Sequence, residues 1–164
     1  MWDKYRIGIA VYPRQTGKDV AMSMQSAKRR LLVPKSTGTY VSLNNPMIRD
    51  ILWQKTYMGE DGQYIRMLQD NVPPELVKWS NTTMEGVFNN GSRMKLQGYF
   101  QSGRDSNGVG TSFQDYAFTE LALFTREDPI PRLQPILANP AEDKKLMVAS
   151  TPRGKRRNPL WQLM

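Results

Sequence analysis

The 164-residue chain contains no cysteine and no histidine. These absences exclude a disulfide framework, a Cys/His zinc site, a thiolate nucleophile and a Ser-His-Asp relay built from this chain alone. No run approaches the ~18 apolar residues needed to cross a bilayer. The amino-terminal MWDKYR is charged where a secretory leader needs an apolar stretch, so the chain reads as cytosolic with no membrane partner. No repeat or low-complexity tract marks a second domain, and residues 1–164 are expected to form one. Carboxylates, hydroxyls, Lys, Arg, Tyr and backbone are what remain for chemistry. They are carried in a chain that is 39% hydrophobic and 10% aromatic, a globular rather than disordered composition. Against 15 Asp+Glu stand 23 Lys+Arg, a formal charge of +8. That surplus favours a polyanionic partner, although a solvated basic surface has the same composition.

Residues 6–12, RIGIAVY, form a short β-branched run, followed by the polar loop PRQTGK and by Val20, Ala21, Met24, Ala27 and Leu31 at helical spacing. This is a strand, a phosphate-type loop and a helix. The helix is expected to expose Lys28, Arg29 and Arg30 near its far end, where cations suit the macrodipole or could meet DNA. Tyr40 to Leu43 reads as a second strand. Pro46 is placed to open a helix through Trp53 and Tyr57, whose i,i+4 spacing suits packing or base stacking. Glu60–Asn71 is expected to be another helix, broken by Val72-Pro73-Pro74. Glu85–Phe88 and Arg93–Tyr99 flank Asn89-Asn90-Gly91-Ser92, an Asn-Gly hairpin signal. The glycine-bearing stretch Gln101 to Ser112 reads as a connector or a mobile functional element. DYAFT at 115–119 and KLMVAS at 145–150 are two further strands. Strands alternating with helices predict a three-layer α/β fold with a mainly parallel sheet.

Three segments carry chemistry. YPRQTGKD, Tyr12 to Asp19, lies between a strand's carboxyl end and a helix's amino end, where backbone N–H groups and the helix dipole attract phosphate and Lys18 can reach its outer oxygens. The strict pattern G-x-x-x-x-G-K-[ST] is broken twice, by Tyr12 at the first glycine and by Asp19 at the Ser/Thr. Thr119-Glu120 ends an apolar strand with a hydroxyl and a carboxylate, where a Walker B strand ends in two acids; a carboxylate there can orient or deprotonate water. Ser150-Thr151-Pro152 ends another strand, as a hydroxyl-capped exit or something more.

Together RQTGKD at 14–19, AFTELALF at 117–124 and ASTPRG at 149–154 resemble the ATPase domain of large terminase subunits, the DNA-packaging motors of tailed phages and related viruses. Lys18 and Glu120 are 102 residues apart and Glu120 and Ser150 are 30 apart, in that family's order. The resemblance covers nearly the whole chain and implies a P-loop NTPase fold of the ASCE/RecA-like type, truncated at both ends, with no nuclease domain. It implies a Mg-dependent ATPase that drives double-stranded viral DNA into a procapsid without regard to sequence. Its implied setting is a ring homo-oligomer at the procapsid portal in the host cytoplasm, with a portal and a small terminase as partners. The alternatives are a basic nucleic-acid-binding or assembly fragment with a vestigial nucleotide site, or a P-loop motor of helicase type.

By the same resemblance Lys18 holds the β- and γ-phosphates, Gln15, Thr16 and Gly17 supply the loop, and Arg14 senses or stabilises the γ-phosphate. Glu120 is the catalytic carboxylate, and Ser150 and Thr151 belong to the motif that couples hydrolysis to movement. The two departures exchange one carboxylate for one hydroxyl: Asp19 stands where a hydroxyl is usual and Thr119 where an acid is usual. A swapped magnesium clamp of Asp19 and Thr119 conserves ligand type and charge. The competing reading has Asp19 capping the helix and Thr119 packing as a β-branched strand residue. Arg104 is a candidate finger acting on a neighbouring subunit. Arg153, Lys155, Arg156 and Arg157 face DNA, a neighbour or solvent.

Overall fold

The computed structural model describes residues 7–13, 17–100, 113–124 and 144–151, with Phe100 described by its backbone alone. Arg14, Gln15, Thr16, the stretch 101–112 with Arg104, and Arg153, Lys155, Arg156 and Arg157 lie outside the described residues.

The apolar runs form the strands of one seven-stranded sheet. In chain order these are β1 (Ile7–Val11), β2 (Thr37–Asn44), β5 (Val77–Ser80), β6 (Glu85–Phe88), β7 (Arg93–Phe100), β8 (Asp115–Thr119) and β9 (Lys145–Ser150); β3 (Thr56–Met58) and β4 (Tyr64–Arg66) make a separate two-stranded hairpin. The sheet order is β1-β9-β8-β2-β7-β6-β5. The first five strands run parallel, and β6 and β5 extend the sheet antiparallel. Every residue of β8 and β9 is buried, as expected of parallel strands covered on both faces.

Side-chain alternation splits the core in two. On one face Tyr40, Leu96, Ala117, Met147 and Ala149 pack under α1 (Lys18–Leu32) with its Met22 and Ala27. On the other, Val41, Tyr99, Phe118, Leu146 and Val148 pack with Leu121 and Phe124 of the segment that follows β8. The sheet is thus mixed and mostly parallel, the α/β class that the sequence predicts.

Four local expectations need correction. First, Ala21 alone of the stripe expected on α1 is exposed; Ala27 is buried and Val20, Met24 and Leu31 pack partly buried against the core, beside the buried Lys18, Met22, Ser23, Ser26 and Arg30. The small serines let the helix lie close to the sheet, and Ser23 satisfies its hydroxyl on the Val20 carbonyl at 2.9 Å. Second, Arg30 is not a solvated cation. It is fully buried and paired with Asp115, the first residue of β8, which Arg29 also holds at 2.7 Å. Burial and the neighbouring Arg29 push the Arg30 guanidinium down to about 10, still charged at neutral pH.

Third, the helix opened by Pro46 is short. Asn44 caps α2 (Asn45–Ile48), accepting from the Met47 amide at 2.8 Å, and one π-helical turn, Arg49–Trp53, follows. Trp53 ends it because its indole donates to Asn81 at 3.0 Å and stacks edge-on against Trp79. Tyr57 therefore lies in β3, not one helical turn beyond Trp53. Fourth, Glu60–Asn71 is no helix. Gly62, at φ +77°, lies in the turn joining β3 to β4, and only Gln69–Asn71 makes a 3₁₀ turn. The Asn-Gly hairpin joins β6 and β7 as expected, and its Asn90 also donates to the Arg30 and Leu31 carbonyls at the end of α1.

Candidate functional site

Strand order decides what meets at the carboxyl-terminal rim of the sheet. β9 lies between β1 and β8, with Val11 opposite Ser150 and Ala149 opposite Thr119. The exit of β1 is fastened there, since the Tyr12 amide donates to the Ser150 carbonyl at 3.1 Å. Gly17 begins α1 with φ +74° and nothing within 4 Å of a Cβ built on it. Its backbone conformation, rather than any crowding, calls for glycine at this turn. Lys18 and Asp19 follow in the first helical turn and face the ends of β8 and β9.

Lys18, Glu120 and Thr151 form a closed circuit. The Lys18 ammonium lies 2.9 Å from Glu120 Oε1 and donates to Thr151 Oγ1 at 3.2 Å. The Thr151 hydroxyl in turn donates to Glu120 Oε1 at 3.0 Å. Lys18 and Glu120 side chains are 6% and 13% exposed, so water screens the pair weakly. Glu120 itself sits in the left-handed region, φ 52° and ψ 43°, a conformation that costs a non-glycine residue about 1–3 kcal/mol and clusters at functional sites. Two contacts hold it there: its amide donates to the Ala149 carbonyl at 2.7 Å, and Ser150 Oγ accepts from the Ala122 amide at 3.1 Å just beyond. Both Ser150 and Thr151 thus contact the segment that carries Glu120.

Asp19 and Thr119 are direct neighbours. Thr119 Oγ1 donates to Asp19 Oδ1, and the Tyr40 hydroxyl donates to the same oxygen at 3.0 Å. Lys18 approaches the other oxygen, Oδ2, at 3.9 Å. Tyr40 is fully buried; burial first, and then the Asp19 charge, raise its phenol well above the ordinary tyrosine value, so it stays protonated and keeps donating. Two hard oxygen groups side by side suit Mg²⁺, which takes one or two protein ligands and completes its shell with water and phosphate. Asp19 and Thr119 therefore fit the ion that the sequence implies.

Of the residues singled out from sequence, Gly17, Lys18, Asp19, Thr119, Glu120, Ser150 and Thr151 are brought to this one rim. Tyr40 was not among them. A tyrosine inside an apolar strand looks like core, and no spacing rule ties it to Asp19, 21 residues earlier.

No protein-family model matches the chain, and no curated protein does. Solved structures do. The large terminase of bacteriophage HK97 superposes with a TM-score of 0.65 at 14% identity, over 94% of this chain and 31% of that one. The large terminase ATPase domain of Thermus phage P74-26 gives 0.59 at 17% identity, over 92% and 61%. The large terminase of a further thermophilic bacteriophage, solved in complex with ATP-gamma-S, gives 0.59 at 15%, over 92% and 34%. The chain thus spans about a third of the first and third of these and three fifths of the second. Its fold is the α/β, P-loop NTPase-like fold of large-terminase ATPase domains.

Proposed function

We propose that this chain is the ATPase core of a viral DNA-packaging motor, hydrolysing ATP to move double-stranded DNA into a procapsid. The observation that carries the reading is the Lys18–Glu120–Thr151 circuit, joining a phosphate-type loop, a strand-end carboxylate and a second strand end on a terminase-like fold. Fold and circuit together favour a working nucleotide site over a vestigial one.

On this reading the β- and γ-phosphates take Lys18 from Glu120, cradled by Gln15, Thr16 and Gly17, while Arg14 meets the γ-phosphate. Glu120, released from its cation, becomes free to orient and deprotonate the attacking water. Excess positive charge at Lys18 and Arg14 stabilises the charge that builds on the transferred group. Asp19 and Thr119 would hold Mg²⁺, which when bound neutralises phosphate charge. Thr151 loses an acceptor as Glu120 moves, so the state of the γ-phosphate is felt at the end of β9; this is the basis for reading Ser150 and Thr151 as coupling residues. Arg104 is the candidate finger toward a neighbouring subunit. Arg153, Lys155, Arg156 and Arg157 are candidate contacts to DNA phosphates, insensitive to base sequence. The ring, the portal, the small terminase and a place at the procapsid in the host cytoplasm follow from the same proposal.

The test is nucleotide binding. At 100 times its Kd, Mg-ATP should stabilise the chain by about 2.7 kcal/mol and raise its melting temperature. Lys18→Ala should abolish that rise. A wild-type chain indifferent to Mg-ATP would leave only the vestigial-site reading. If four phosphates are neutralised by the basic segment, log K for duplex DNA should fall with log salt at a slope of about −3.6.

A further inference from the structure

Resting on the nucleotide-site reading above, we propose that Tyr40 is a positioning residue of that site: with Thr119 it saturates Asp19 Oδ1 and so reserves Oδ2 for the cation that accompanies the nucleotide. Tyr40 belongs to β2, beside β8, with Ala117 as its register partner; Thr119, two residues further on, shares Ala117's face of the sheet. Asp19 comes down onto that face from the first turn of α1. Three elements therefore converge on one carboxylate oxygen.

The asymmetry of the carboxylate is what gives Tyr40 a role beyond packing. A buried phenol must find an acceptor, and a backbone carbonyl would serve that purpose without touching the site. Tyr40 instead donates to the acid whose other oxygen faces Lys18 at 3.9 Å. An oxygen already accepting from two hydroxyls is poorly placed to ligate a cation as well, whereas Oδ2 accepts from no hydroxyl among the described residues. Fixing the group from one side orients it on the other, as outer-shell hydrogen bonds do for metal ligands in general. Thr119 then has two duties in the clamp, donating its hydrogen to Asp19 and offering an oxygen lone pair. Tyr40, fully buried behind Asp19, has only the first.

Tyr40→Phe removes a single oxygen and keeps the ring that packs against Leu96 and Ala117. Mn²⁺ binding to the full chain with nucleotide is read by electron paramagnetic resonance, and metal-free nucleotide affinity by trinitrophenyl-ATP fluorescence in EDTA; circular dichroism checks the fold. The expected result is Mn²⁺ affinity lowered about 10-fold or more with metal-free nucleotide affinity unchanged. In an Asp19→Ala background, Tyr40→Phe should then have no further effect on Mn²⁺, because the residue acts through Asp19. Wild-type Mn²⁺ affinity in Tyr40→Phe, or an undiminished loss in the Asp19→Ala background, overturns the role of Tyr40. Parallel loss of metal-free nucleotide affinity also overturns it, since that is what a merely structural defect produces. A wild-type chain that binds no nucleotide overturns instead the reading of the site itself, and the inference with it.

Discussion

The Lys18 ammonium and the Glu120 carboxylate lie 2.9 Å apart although 102 residues of chain separate them. Each is the other's counter-ion. On the proposed function an incoming phosphate must displace Glu120 from Lys18 while tolerating a nearby negative charge. Glu120→Gln removes both obstacles. Mg-ATP should bind about 5- to 10-fold tighter, equivalent to roughly 1–1.4 kcal/mol, while turnover falls by about 10²–10⁴. Nucleotide titration and phosphate release measure the two effects. Weaker binding with intact turnover would show that Glu120 anchors Lys18 and does no chemistry.

The Asp19–Thr119 pair predicts reciprocity. Asp19→Thr and Thr119→Asp should each impair Mg-ATP hydrolysis, the first by leaving two hydroxyls and the second by setting two carboxylates against each other. The double variant restores one of each and should recover beyond additivity in a double-mutant cycle. Purely additive losses would remove the swapped clamp and leave Asp19 and Thr119 with packing roles.

At the opposite end of α1, Arg30 and Asp115 make a buried pair with side chains 0% and 2% exposed. Asp115→Asn leaves the buried Arg30 guanidinium without its counter-ion and should cost about 3–5 kcal/mol in denaturant unfolding. Arg30→Met should cost less, because Asp115 keeps Arg29 as a partner at 2.7 Å. Single variants with near-wild-type midpoints would mean that the pair is hydrated in solution.

Gly98 of β7 lies under the turn from β2 into α2, where a Cβ would sit 2.2 Å from the Asn44 carbonyl carbon and the Asn45 amide nitrogen. Both are backbone atoms and cannot rotate aside. Gly98→Ala should destabilise by at least about 1–3 kcal/mol, and loss of the Gly98 amide to Asn45 Oδ1 bond, 2.6 Å long, should be visible in its amide exchange. A neutral substitution would place the turn further from β7 than the structure does.

The sequence made some parts legible because their signals are local. β8 and β9 fall on 115–119 and 145–150 because their apolar runs stop at an acid and at hydroxyls followed by proline. The Asn-Gly turn announces the β6–β7 hairpin through its own backbone preference. Other parts depend on contacts that no local window contains. Arg30 has the composition of a helix-end cation, and only Asp115, 85 residues later, turns it inward. Trp53 stops its helix because Asn81, Gln69 and Trp79 hold it. The β3–β4 hairpin is local in origin too, since Asp61-Gly62 favours a turn within the span whose composition predicts a helix. In the candidate site the polar members were visible as strand and helix ends, whereas Tyr40 was hidden by being apolar in all but one atom.

The position of β9 also sets a timetable. Among the described residues β1 has no other strand beside it, and β8 keeps a bare edge until residues 145–150 are made. Lys18 leaves the ribosome 133 residues before Thr151. At about 5–20 residues per second that is a delay of roughly 7–27 s. Assembly of this rim thus waits on residues 145–150, and on the proposed function no ATP can be hydrolysed before that strand has slotted home.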